Sequence, residues 1–233
     1  MDIIRLKSEL PNTHFAPSYD IRMGVFQFDN ASVYKNVQNF LLAKEPDILK
    51  LESNNNAGTQ FEYTDITNRY GMYNVFDFVD ECADLNVLFD WLRRCYLEFL
   101  QSEGTPVVEC DIVCWYNILR NNKDLDEHVH SSNENSYLSG NMQFSKFETS
   151  TYYRAPIDPF NGGQVNGQLP GQLVIFPSYV PHGVKTEWQG ERISLAFDLH
   201  YSYLHPNAKK EPHWGNSLRF MDQNILKRLT DTK

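Results

Sequence analysis

His128 and His130 are separated by one residue, His182 follows far downstream, and Arg192 lies ten residues beyond it. Alternate residues of an extended strand project to the same side, so His128 and His130 can face one point in space. Imidazole nitrogens are good ligands for iron, zinc or copper, and three of them can occupy one face of a metal ion. Arg192 adds a permanent cation with a planar donor fork, a shape that suits a carboxylate. A metal beside a carboxylate-binding arginine implies an acidic cosubstrate held between them.

The other histidines, His14, His200, His205 and His213, read as ordinary exposed or hydrogen-bonded side chains. His182 differs because FPSYVPHGV sets it behind Pro177 and Pro181, whose restricted backbone favours a defined entry into the next strand. Glu134 is the alternative metal ligand to His130, with Asp126 and Glu127 as further nearby carboxylates. Trp188-Gln189-Gly190 reads as a turn between the strands that carry His182 and Arg192. That turn sets Arg192 opposite Thr186, about 13 Å along the backbone from His182. Ser194 faces the same side as Arg192 and adds a hydroxyl for a carboxylate.

These residues need a scaffold. Leu85, Leu88, Phe89, Leu92, Cys95, Tyr96 and Phe99 recur at three- and four-residue steps, which predicts a helix over 80–101 with one apolar stripe. An earlier helix is expected from Asn30 or Ser32 to about Lys44, stopped or kinked by Pro46, after an edge strand over 23–28. Beyond Gly104-Thr105-Pro106 the character changes. The stretch 106–120 is too apolar for an exposed strand, and short strand-like runs follow at 136–144, 150–154, 172–176, 183–187 and 192–200. Many short strands with Gly/Pro punctuation read as a barrel or jelly roll. The final thirty residues are polar, with a connector leading to a short helix.

The chain has 233 residues, 41 % of them hydrophobic, and a formal net charge of −9. That acidic balance argues against general nucleic-acid binding, which needs a basic surface. The N-terminal stretch is too polar for a signal peptide and no segment reaches membrane-spanning length, so no membrane association is expected. Cys82, Cys95, Cys110 and Cys114 show no CxxC spacing, and reduced thiols fit a cytoplasmic location. Nothing in the sequence speaks to oligomeric state.

Two resemblances follow from the motifs. HVHSSNENSYLSG resembles the first cupin motif, with Glu134 as its carboxylate, and PSYVPH keeps the proline-to-histidine interval of the second. From about Trp115 to Phe197 the chain more closely resembles a branch of the 2-oxoglutarate- and Fe(II)-dependent oxygenases. The residues that carry this are Trp115, HVH (128–130), Leu138-Ser139-Gly140, FPSYVPHGV (176–184) and RISLAF (192–197). In most of that superfamily the first motif is His-x-Asp/Glu; here His130 takes the carboxylate position, and NMQF (141–144) stands where a tyrosine is usual.

The resemblance implies a mainly β chain with a double-stranded β-helix, cupin-like, packed on two or more α-helices. As a single domain it would comprise an N-terminal extension of helices and strands over 1–104, the double-stranded β-helix over 105–200 and a tail over 201–233. It implies Fe(II), 2-oxoglutarate and O2 as metal and cosubstrates, with His128, His130 and His182 on the metal and Arg192 and Ser194 on 2-oxoglutarate. Hydroxylation of a protein side chain or small molecule, with release of succinate and CO2, is the implied reaction. The alternatives are a cupin-type metalloenzyme that does not use 2-oxoglutarate and a noncatalytic jelly-roll binding protein. Substrate is expected to enter beside 146–170, where Phe147, Tyr152, Tyr153 and Phe160 accompany several glycines.

Overall fold

The computed structural model of the chain describes residues 1–8, 13–53, 66–120, 123–130, 136–146, 148–157, 164–184, 190–201 and 216–231. Its first half holds β1 (Asp2–Lys7), β2 (Asp20–Gln27), α1 (Ala31–Ile48) and α2 (Asp84–Glu103), with 3-10 turns at Ile66–Arg69 and Val75–Phe78 between the helices. The strands β3 (Cys110–Leu119), β4 (Leu125–His128), β5 (Leu138–Gln143), β6 (Thr149–Tyr153), β7 (Gln164–Gln168), β8 (Gln172–Pro177), β9 (His182–Val184) and β10 (Arg192–Tyr201) follow. Then come β11 (Leu218–Met221) and α3 (Gln223–Asp231).

Among the described residues all strand pairs are antiparallel, and they form two sheets: β1-β2-β8-β5-β10-β3-β11 and β4-β9-β6-β7. From β3 to β10 the chain passes repeatedly between them, the winding of a double-stranded β-helix. The fold is therefore mainly β, with helices laid against the larger sheet.

The stripe on α2 explains that packing. Its seven apolar residues from Leu85 to Phe99 are all buried and share one core with Ile112, Cys114, Tyr116 and Ile118 of β3. Burying each such side chain is worth about 1.5–3 kcal/mol. The alternate residues Trp115 and Asn117 line the interior cavity, so β3 is enclosed on both faces. Its near-continuous apolar sequence follows from that double enclosure. Gly104 ends α2 at φ 62°, a left-handed position that glycine occupies without a Cβ penalty.

The structure departs from the sequence reading in several places. β2 is not an edge strand, because β1 pairs along one side of it and β8 along the other. Pro46 does not stop α1, which is capped by the Asn30 side chain and runs on to Ile48. So close to a helix end proline removes a single ladder bond, and the buried Ile48 anchors the last turn in the core. Part of the polar C-terminal region forms β11, which extends the large sheet beside β3. All four cysteines are free thiols. Among the described residues no helix is long and apolar enough to cross a membrane.

Candidate metal centre

β4 and β9 lie side by side in the small sheet, and their register pairs His128 directly with His182. His130 lies two residues past the end of β4, not within the strand as its spacing had implied. It is held there by its backbone N–H, which donates to the Ser178 carbonyl at 3.0 Å. An irregular register between Leu125 and His128 accompanies this departure from strand geometry. The three rings still converge, with centroids 4.4 Å apart for His128 and His182, 4.9 Å for His130 and His182, and 5.3 Å for His128 and His130. One potential ligand atom from each lies within 4.8 Å of the others.

The hydrogen bonds on the Nδ1 side fix which nitrogen faces the common point. His128 Nδ1 donates to the Asp126 carbonyl at 2.8 Å, and His182 Nδ1 donates to the Val180 carbonyl at 2.9 Å. His130 Nδ1 donates to the carboxylate of Asp198. Each acceptor draws the ring proton to Nδ1 and leaves a lone pair on Nε2, the arrangement that suits a metal ligand. Burial, and then the neighbouring His130 ring, pushes His128 down to about 4. Burial, followed by His128 and His130, holds His182 well below the ordinary histidine range. Both are neutral and ligand-competent near pH 7. Trp115, Phe176 and Tyr153 wall the cluster, with Phe176 edge-on to His182 at 4.7 Å between centroids.

The same cavity, about 140 Å³, is lined by the three histidines, Arg192, Ser194 and Asp198. Arg192 is only 2 % exposed, which excludes a surface arginine, and Glu191 instead pairs with Arg120. Its guanidinium donates to Thr149 Oγ1 at 3.3 Å, Ser194 Oγ at 3.0 Å and Thr151 Oγ1 at 3.1 Å. Burial lowers it to about 10, so it stays charged at neutral pH. Behind it a chain of polar side chains crosses the interior. The Thr151 hydroxyl donates to Gln168 Oε1, Gln168 Nε2 to Asn141 Oδ1, and Asn141 Nδ2 to the Tyr153 hydroxyl.

The motif residues between these groups also have physical roles. Phe197 lies across Gly140, where any side chain would collide with its ring. The Ser139 hydroxyl reaches Asp198 Oδ1 at 2.6 Å. Glu134 and Thr186 lie outside the described residues, as do Trp188 and Gln189 of the expected turn. Glu127 forms an ion pair with Arg154, whereas Asp126 serves through its backbone carbonyl. Tyr153 is fully buried on β6, where its hydroxyl accepts from Asn141, so it is not part of a substrate-facing loop; Phe147 and Phe160 are outside the described residues.

Sequence reasoning missed Asp198, Asn117 and the Thr149–Thr151 pair. Asp198 continues the alternation Arg192, Ser194, Ala196, and Asn117 is a lone amide in an apolar strand. Both signals were present.

No family model and no curated protein matches the sequence. Among solved structures the fold is similar to a prolyl-4-hydroxylase from Pseudomonas putida, with a TM-score of 0.54 and 12 % identity over 78 % of this chain and 93 % of that one. It is similar to SnoN, a non-heme alpha-ketoglutarate-dependent epimerase from nogalamycin biosynthesis, with a TM-score of 0.51 and 9 % identity over 82 % of this chain and 87 % of that one. AviO1 from Streptomyces viridochromogenes Tue57 gives a TM-score of 0.51 and 10 % identity over 82 % and 92 % of the respective chains. Likeness at these identities speaks to the fold, the double-stranded β-helix, and the function has to be argued from the site.

Proposed function

We propose that this chain is an Fe(II)- and 2-oxoglutarate-dependent oxygenase acting on a protein side chain or a small molecule. The observation that carries the reading is a single cavity with three converging imidazoles and a buried, charged arginine. His128, His130 and His182 would hold the metal through Nε2, and Arg192 with Ser194 would hold the distal carboxylate of the diacid. Bound there, iron and 2-oxoglutarate supply oxidising power from O2, with succinate and CO2 as coproducts.

The chain's own residues prepare the site for that chemistry. The Asp126 and Val180 carbonyls hold two imidazoles in one tautomer and orientation before any ligand arrives. Thr149, Thr151 and Ser194 fix the guanidinium, so its donor fork loses little freedom on meeting a carboxylate. Trp115, Val184 and Ala196 line the cavity with apolar surface that excludes water and strengthens each polar contact.

The test is a thermal-shift titration under anaerobic conditions with Fe(II) or Mn(II), with and without 2-oxoglutarate, followed by succinate detection in air. Metal should raise the melting temperature, and the diacid should raise it further only when metal is present. Metal stabilisation without any response to 2-oxoglutarate would favour the cupin-type alternative. No response to either would leave a noncatalytic jelly roll.

A further inference from the structure

His130 is the only one of the three histidines whose Nδ1 meets an anion, since the other two donate to backbone carbonyls. The anion is Asp198, a largely enclosed carboxylate that also accepts from the Ser139 hydroxyl at 2.6 Å. Ser139 lies 2.9 Å from the Ser178 hydroxyl, and the Ser178 carbonyl receives the His130 N–H. His130 is thus fastened to the same serine pair through its backbone and through its ring.

We propose that Asp198, acting through His130, supplies the negative charge that a carboxylate ligand would otherwise bring to the metal. This rests on the metal reading above. Three neutral imidazoles carry no charge to offset a divalent cation, and an uncompensated charge in an enclosed site is costly. With Asp198 ionised, the loaded cavity balances: a divalent metal and the Arg192 cation against a dianionic diacid and one aspartate. Without Asp198 the same cavity holds one excess positive charge. The Asp198–His130 hydrogen bond also raises the basicity of the ligating nitrogen, so the charge is felt at the metal one ring away. Asp198 is a positioning residue here, since His130 lies between it and the metal.

A double-mutant cycle on the metal-binding affinity of the full chain tests this, using Mn(II) in competition with a chromophoric chelator. Asp198→Asn keeps a hydrogen-bond acceptor and removes the charge, and it should weaken Mn(II) binding by about 10- to 100-fold. In the His130→Asp background a carboxylate reaches the metal directly, and adding Asp198→Asn should change the affinity less than about twofold or tighten it, because a nearby like charge has gone. A purely structural Asp198 would cost the same in both backgrounds, and that result overturns the proposal. So does unchanged affinity for Asp198→Asn in the wild-type background. If Asp198→Asn does not fold, Asp198→Ser supports the same comparison. A wild-type chain that binds no divalent metal would instead remove the metal reading itself, which separates the two failures.

Discussion

His128 and His182 stand directly opposite each other across the β4–β9 ladder, with ring centroids 4.4 Å apart. Directly opposed residues share one face of a sheet, so the strand register alone brings two of the imidazoles together. The first prediction follows. His128→Ala and His182→Ala should each remove most of the metal-induced thermal stabilisation while leaving the metal-free fold intact. For the wild type that stabilisation should approach ~2.7 kcal/mol at a metal concentration about a hundred times the Kd. Stoichiometric Fe(II) binding by both variants, measured by anaerobic equilibrium dialysis, would sink the assignment.

Arg192 should govern affinity for the diacid and spare affinity for the metal. Removing a charge-assisted bidentate contact in an enclosed pocket costs of the order of 2–4 kcal/mol, roughly 30- to 800-fold in binding. Arg192→Lys should recover only part of this because it lacks the planar fork. The measurement is the 2-oxoglutarate titration of Mn(II)-loaded protein. Equal affinities for the wild type and Arg192→Ala would mean that the anchor lies elsewhere.

Asn117 should show opposite effects on stability and binding. It is 5 % exposed, lines the cavity, and its Oδ1 has no hydrogen-bond partner among the described residues. It pairs with Ser194 across β3 and β10, which sets its carboxamide beside the Arg192 hydroxyl cluster. A buried polar atom without a partner costs about 1–3 kcal/mol, so Asn117→Leu should leave the metal-free melting temperature unchanged or raise it. The same variant should weaken 2-oxoglutarate binding by several-fold, because the amide donor for the carboxylate is gone. A lower melting temperature with unchanged binding would make Asn117 a structural residue.

The metal-free protein should lose stability as pH falls from about 6.5 toward 4. His128 titrates near 4 when folded, and His182 is shifted in the same direction, whereas an unfolded histidine titrates near its ordinary 6.5. Within that window the unfolded chain binds protons that the folded chain refuses, so stability declines with falling pH. The contribution is complete above the unfolded value, and for His128 it is at most about 3 kcal/mol. Melting temperatures between pH 7 and 5 should therefore fall less steeply for His128→Ala than for the wild type. Parallel slopes would show that the histidine cluster is not the cause.

The parts of this molecule that were legible in its sequence are those governed by a period. The α2 stripe repeats every three or four residues, and most strands from β3 to β10 alternate with turn residues, so their places emerged within a few positions; β7 (Gln164–Gln168) did not, because its glycine- and amide-rich stretch reads as a turn. The edge strand β1 was not legible, because DIIRLK gains its partner only through pairing with β2, including an ion pair between Arg5 and Asp20. His130 was read as a strand residue because the HxH spacing gives no sign of the chain leaving β4. Asp198 escaped because its importance comes from a partner sixty-eight residues earlier in the chain, across the interior between two sheets. Thr149 and Thr151 are ordinary strand residues until the fold sets them beside Arg192. Pairwise chemistry between distant strands leaves no local periodicity to read.

The polar chain behind Arg192 crosses between the two sheets three times: Arg192 on β10, Thr151 on β6, Gln168 on the neighbouring β7, Asn141 on β5 and Tyr153 on β6 again. It laces the sandwich shut at the arginine end. A diacid seated against Arg192 would be held by groups anchored in both walls, so the bonds that tie the walls together would set how firmly it is held. Cutting a link remote from the guanidinium, such as Gln168, would then shorten the ligand's residence time without removing any group that touches it.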